Sequence, residues 1–184
     1  LTIIPLVQEG LVYELKGPEA SRDFERPSLF LFDVQENQLS QLKEFVKEQG
    51  HKLMGVSPMV RGRLTKVNGE EFDRQLDREK MTREGEREKR FRNRGLNLTY
   101  RDQLNQAEVI VRGEMFDSRF KGGMQDVGEV SVERRYANRL NLELGDILEV
   151  EILGLPLKAK ITSFRRVRWT SFLPNFFLLF QPGL

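Results

Sequence analysis

Between residues 147 and 163 apolar and polar positions alternate almost without a break. Leu148, Val150 and Ile152 fall on one side and Glu149 and Glu151 on the other. After "GLP" the alternation resumes, with Leu157, Ala159 and Ile161 against Lys158 and Lys160. A period of two is the signature of a half-buried strand. The pattern predicts an antiparallel hairpin of Leu148–Leu153 and Leu157–Ser163. Centring its turn on Gly154-Leu155 sets Glu151 opposite Lys158 and Glu149 opposite Lys160, cross-strand pairs worth ~0.2–1 kcal/mol each.

Just upstream, "SVERRYANRLNLELGD" changes to helical spacing. Ser131 is the expected N-cap, Glu133 suits the first turn, and Tyr136, Ala137 and Leu140 share a face. Nearer the start, "SLFLFDV" (28–34) is a short apolar run bounded by Pro27 and polar residues, which predicts a buried strand. "ENQLSQLKEFVKEQG" then predicts a helix with Leu39, Leu42, Phe45 and Val46 on one face and Gly50 at its C-terminal stop. Residues 51–69 form a second extended region, with a tight turn at Asn68-Gly69. Strand, helix and strand in that order make a split α/β unit. "LNLTYRDQL" and "AEVIVRGEMF" follow, the latter with a strand core at Val109–Val111, and "SRFKGGMQDVGEV" is a flexible glycine-rich connection. The fold class expected is α+β.

Two segments carry less structure in their pattern. Residues 1–15 have a loose helical periodicity weakened by Pro5 and Gly10, and 16–27 is a loop by its Gly, Pro and Ser content. Such an apolar start without methionine is expected of a piece of a longer polypeptide. Residues 70–94 mix charges of both signs, as a solvated helix or loop does.

Composition narrows the chemistry. The 184 residues are 39% hydrophobic and 32% charged, and 30 Lys+Arg against 28 Asp+Glu leave a net charge of only +2. Any basic patch must therefore be local. There is no cysteine and one histidine, His51, so thiolate zinc sites, cysteine nucleophiles and a histidine-based metal cluster are excluded, and a surface role is expected for His51. Neither a P-loop, a G-x-G-x-x-G motif nor a G-x-S-x-G elbow is present. The expectation is a protein with no catalytic residues, no metal and no cofactor. No basic n-region and cleavage site open the chain, and no apolar run reaches the ~20 residues needed to span a bilayer. Arg165, Arg166 and Arg168 with Trp169 are the one basic and aromatic cluster, which leaves a nucleic-acid-binding module using the Arg165–Trp169 patch as the alternative function.

The stretch "SVERRYANRLNLELGDILEVEILGLPLKAKITSFRRVRWTSFLPNFFLLFQPG" resembles the extracytoplasmic region of FtsX/MacB-like ABC transporter permeases, especially the YbbP-like group. The matching elements are a helix ending in L-x-x-G-D (Leu142–Asp146), a hairpin through Gly154, the run Thr162–Trp169, and P-N-F-F (Pro174–Phe177). "FLFDVQENQLSQLKEFV", "SPMVRGRLTKVNG" and "RGLNLTYRDQL" are similar to the same permeases, so the likeness covers about residues 28–184. It implies a periplasm-facing domain of an inner-membrane protein, with a porter-like split α/β lobe and an inserted β-rich (Sabre-like) lobe. The implied division is 1–27 as a membrane-proximal helix and linker, 28–69 with 171–184 as the porter-like lobe, 70–95 as a charged connection and 96–170 as the insert. The implied function is to couple ATP hydrolysis by a separate cytoplasmic subunit to export or extraction of lipophilic molecules. Partners would be the permease's transmembrane helices, the ATP-binding subunit through them, and a periplasmic protein; nucleic acid is not expected. Trp169, Phe172 and Phe176 are the candidate lipophile-facing or lobe-interface residues. The segment 70–94 has no counterpart in that pattern, and relatives continue with more sheet beyond Gln181–Leu184.

Overall fold

Pro156 decides the hairpin. A two-residue turn is closed by a backbone N–H at the residue after the loop, and proline has none. A turn centred on Gly154-Leu155 would need that N–H from Pro156. In the computed structural model the turn sits one residue earlier, at Leu153-Gly154, with φ of 50° and 84°, the positive values a type I′ turn requires. Leu155 then supplies the closing partner for Ile152, Glu149 stands opposite Lys158, and Glu151 stands opposite Pro156. The expected pairing of Glu151 with Lys158 is thus corrected. Moving the turn by one changes partner numbers by two, so every side chain keeps its face. Leu148, Val150, Ala159 and Ile161 are buried as the alternation requires.

The structure describes residues 29–53, 55–71, 95–116, 119–123, 126–171 and 173–184. The expected elements in 1–27 and nearly all of the charged segment 70–94 lie outside them. Two units divide the chain, Leu1–Met54 and Gly55–Leu184.

In the first unit the expected strand at 28–34 is absent. Leu29 to Val34 form no regular structure and stay exposed, Phe32 at 80%. An apolar run becomes a strand only when a neighbour pairs with its backbone, and no described residue does so. Asp33, at φ 58°, also breaks the extended path. A short 3-10 turn, Glu36–Gln38, leads into helix α1, Leu39–Glu48. The end of α1 is as the sequence predicts. Gly50 takes φ 73°, its N–H bonds to the Lys47 carbonyl, and His51 N–H reaches back to Val46, which is a Schellman closure. Leu39, Leu42 and Val46 are half-buried, while Phe45 is exposed.

Among its described residues the second unit has eight strands: β1 Val60–Val67, β2 Glu70–Glu71, β3 Leu96–Tyr100, β4 Glu108–Gly113, β5 Val127–Glu133, β6 Ile147–Ile152, β7 Leu155–Val167 and β8 Leu178–Phe180. Helix α2, Arg134–Leu140, follows β5 directly. Six strands pair in a closed circuit, β1–β3–β8–β5–β7–β6 and back to β1. Two pairs, β3–β8 and β5–β7, are parallel. Closure removes most free edges. β2 extends β1 through the Asn68-Gly69 turn, again with both φ positive, and β4 flanks the C-terminal half of β7. The mixed, sheet-rich architecture is compatible with α+β. β1 pairs with β3 and β6, and β8 pairs with β3 and β5.

Gly62 lies where β1 passes from β3 to β6. A Cβ there would stand 2.5 Å from Leu98 Cδ1 and 3.0 Å from the Glu151 carbonyl oxygen, so only glycine lets the three strands approach. Inside, Leu64, Leu96, Leu98, Val130, Val132, Leu148, Val150, Ile161 and Leu178 form one core with Tyr136, Ala137 and Leu140 of α2. The helical face read from the sequence is the buried one. Its N-cap differs. Ser131 is still in β5, and Glu133 caps instead, its carboxylate accepting the Tyr136 N–H at 2.7 Å. Asn141, at φ 53°, closes the other end.

Asn68 and Asp146 join the β1–β2 turn to the turn before β6. Asn68 Nδ2 donates to Asp146 Oδ1 and Ile147 N–H donates to Asn68 Oδ1, each at 2.9 Å. Asp146 Oδ2 also accepts the Glu143 N–H at 2.8 Å, and Gly145 N–H bonds to the Ile161 carbonyl. The L-x-x-G-D turn is therefore held from three directions.

Candidate functional site

The basic stretch "RRVR" occupies the end of β7, where the strand's alternation splits it. Arg165 points inward and is fully buried; Arg166 and Arg168 are exposed. A guanidinium out of water must have its donors engaged. Arg165 Nε donates to Glu108 Oε1 at 3.3 Å, Nη1 to the Ser131 carbonyl at 2.6 Å and Nη2 to the Phe176 carbonyl at 2.5 Å. Burial pushes its pKa down, and the Glu108 carboxylate opposes that shift. Glu108, also fully buried, accepts two bonds from Arg101 Nη2 at 3.0 and 2.9 Å and one from the Asn105 N–H at 3.0 Å. Ser163 Oγ donates to Ser131 Oγ at 2.8 Å beside this network.

The network is a clamp. Arg165 ties β5, through Ser131, to the segment entering β8, through Phe176, and Glu108 ties β4 to the loop after β3. It offers no nucleophile with a base. His51 lies in the other unit, and no group of three potential metal ligands occurs among the described residues.

Above the clamp is a short column of rings. Tyr136 stacks on Phe177 with centroids 4.9 Å apart and planes at 24°, and Phe177 meets Trp169 at 4.9 Å and 47°. Burial pushes the Tyr136 hydroxyl pKa well above its ordinary 10. Trp169 ends the column and is 42% exposed. Of the residues singled out in the sequence, Trp169 is presented at the surface. Phe176 is buried, with its carbonyl held by Arg165. Phe172 lies outside the described residues.

A cleft of about 460 Å³ opens nearby, lined by Tyr100, Arg101, Asn105, Leu173, Pro174 and Pro182 among others. Arg101 Nε is buried without a hydrogen-bond partner among the described residues. The roles of Glu108 and Arg101, and of Glu133 as the cap itself, were not visible in the sequence. A carboxylate opening an apolar strand, as in "AEVIV", is the only trace of Glu108, and it does not name its partner.

No family model matches the chain. Over 161 residues, 86% of its length, it is 34% identical to a protein of Escherichia coli (strain K12) described as an uncharacterized ABC transporter permease YbbP. The matched stretch is 17% of that protein, so the chain spans a small part of the relative's length.

Proposed function

We propose that this chain is an extracytoplasmic domain of an ABC transporter permease of the YbbP-like group within the FtsX/MacB-like permeases. The observation that carries the reading is the 34% identity along 86% of the chain to a protein named as an ABC transporter permease, YbbP. No helix among the described residues is long and apolar enough to cross a membrane, so in this reading the spanning helices belong to the remainder of the parent chain. The porter-like and inserted lobes implied by the resemblance are, likewise, a description of that parent's periplasmic region.

The domain works mechanically in this reading. ATP is hydrolysed by a separate cytoplasmic subunit, and the transmembrane helices pass the movement to the domain. A closed strand circuit clamped at Arg165 and Glu108 moves as one body, which suits a part that transmits displacement without deforming. The chain itself catalyses nothing and carries no cofactor. The cargo class is lipophilic, and Trp169, with Phe172 beside it in sequence, is the aromatic contact offered to it.

The test uses the full permease with its ATP-binding subunit, reconstituted in vesicles. Trp169→Ser and Phe172→Ser are expected to lower ATP turnover several-fold while the domain's melting temperature stays within a few degrees. Unchanged turnover in two folded variants removes the lipophile contact, and full turnover after removal of the domain removes the coupling role.

A further inference from the structure

The chain's net charge of +2 conceals a one-sided distribution. From Ile152 to Leu184 there are five basic residues and no Asp or Glu, and from Arg134 to Leu142 three arginines and again no acid. The fold brings these two stretches together. β5 and β7 run parallel, with Glu133 opposite Arg165, so Arg134, the first residue of α2, and Arg166 each follow directly on the last paired position. Arg135 and Arg168 follow one and two residues later. All four are exposed. The carboxylates paired into this end, Glu108 and Glu133, are buried and already engaged by Arg101, Arg165 and the α2 N-terminus. Among the described residues no carboxylate forms an ion pair with any of these four guanidinium groups.

An aromatic and an apolar group stand among them. Trp169 follows Arg168, and its ring is tied back to α2 through Phe177 and Tyr136. Val109 of β4 lies opposite Arg166 and is 53% exposed. Cations around a half-exposed indole match the headgroup region of a bilayer, where tryptophan settles at the interface and arginines meet lipid phosphates. Single-stranded nucleic acid needs several successive ring faces for stacking. Here Tyr136 is buried and Phe177 lies between it and Trp169, so the column presents one ring at its end.

We infer that Arg134, Arg135, Arg166 and Arg168 around Trp169 form a docking face for an anionic phospholipid surface. This goes beyond the permease reading. It concerns what the chain itself binds, and its failure would leave the parent's topology untouched.

Trp169 is the chain's only tryptophan, so its emission reports on this face alone. The experiment mixes the purified chain with vesicles of phosphatidylcholine, or of phosphatidylcholine with about 30% phosphatidylglycerol. Flotation and a blue shift are expected with the anionic vesicles only, weakening strongly at about 0.5 M salt. Arg166→Gln with Arg168→Gln should lower partitioning about twenty-five-fold, at roughly fivefold per arginine. Lys158→Gln with Lys160→Gln, the same charge change at the other end of β7, should leave it within about twofold. Melting temperatures check that the variants fold. No blue shift with anionic vesicles at low salt overturns the assignment. So does equal loss in the lysine variant, which would make the effect one of bulk charge. Binding of a single-stranded oligonucleotide with quenched Trp169 emission, the vesicles remaining inert, would make this a nucleic-acid face instead.

Discussion

Arg165 Nε lies 3.3 Å from Glu108 Oε1, and neither side chain exposes any surface. Fifty-seven residues apart in sequence, they become neighbours because β4 pairs with the C-terminal half of β7. Removing one partner leaves a buried charge unmatched, at about 3–5 kcal/mol. Glu108→Ala should cost that much in guanidinium unfolding, and Arg165→Ala a similar amount. Arg166→Ala, one position along and exposed, should change stability by no more than about 0.5 kcal/mol.

Tyr136 gives a pH dependence. Its hydroxyl is pushed above the ordinary 10 by burial, so the unfolded state releases this proton first as pH rises. Stability therefore falls with rising pH from about 10 upward, towards the folded-state pKa. Tyr136→Phe should flatten that part of the decline. Ultraviolet titration of the folded protein should show the Tyr136 phenolate absent near pH 10–11 and appearing on unfolding.

Leu153 is a leucine held at φ 50° and 91% exposed at the tip of the β6–β7 hairpin. Asparagine tolerates this conformation better, and Asn-Gly is the favoured type I′ pair. Leu153→Asn should stabilise the protein by about 0.4–1 kcal/mol, seen as a rise of a few degrees in melting temperature. A fall would mean that the leucine side chain makes a contact worth more than the backbone relief.

Asn68 makes its two side-chain bonds across 78 and 79 residues. Asn68→Ala should cost about 1–3 kcal/mol, because the Ile147 N–H loses its acceptor and the left-handed turn loses a favoured residue. Asn68→Gly keeps the turn and loses the clasp, so its smaller cost separates the two contributions.

Local pattern was legible where local physics decides the outcome. Gly50 as a helix stop, Asn68-Gly69 as a turn, the buried face of α2 and the alternation of β6 and β7 all follow from spacing and backbone preference. Long-range pairing was not. "SLFLFDV" has the composition of a buried strand, yet composition cannot supply a partner. Glu133 displaced Ser131 as the cap because β5 runs two residues further while paired to β7, which the helical period does not reveal. The hairpin register was recoverable from the missing N–H of Pro156. Of the site, Trp169 could be read as a candidate, whereas the inward turn of Arg165 depends on a strand phase that blurs after Ser163.

The native region contains no cysteine, which permits a direct measurement. Asn138, exposed on α2, is changed to cysteine in a full-length parent permease lacking other cysteines, and intact cells are treated with a membrane-impermeant maleimide. An extracytoplasmic domain predicts labelling without opening the inner membrane, blocked by an impermeant thiol reagent added first. Labelling that appears only after the inner membrane is permeabilised would place the region in the cytoplasm and contradict the permease-domain reading.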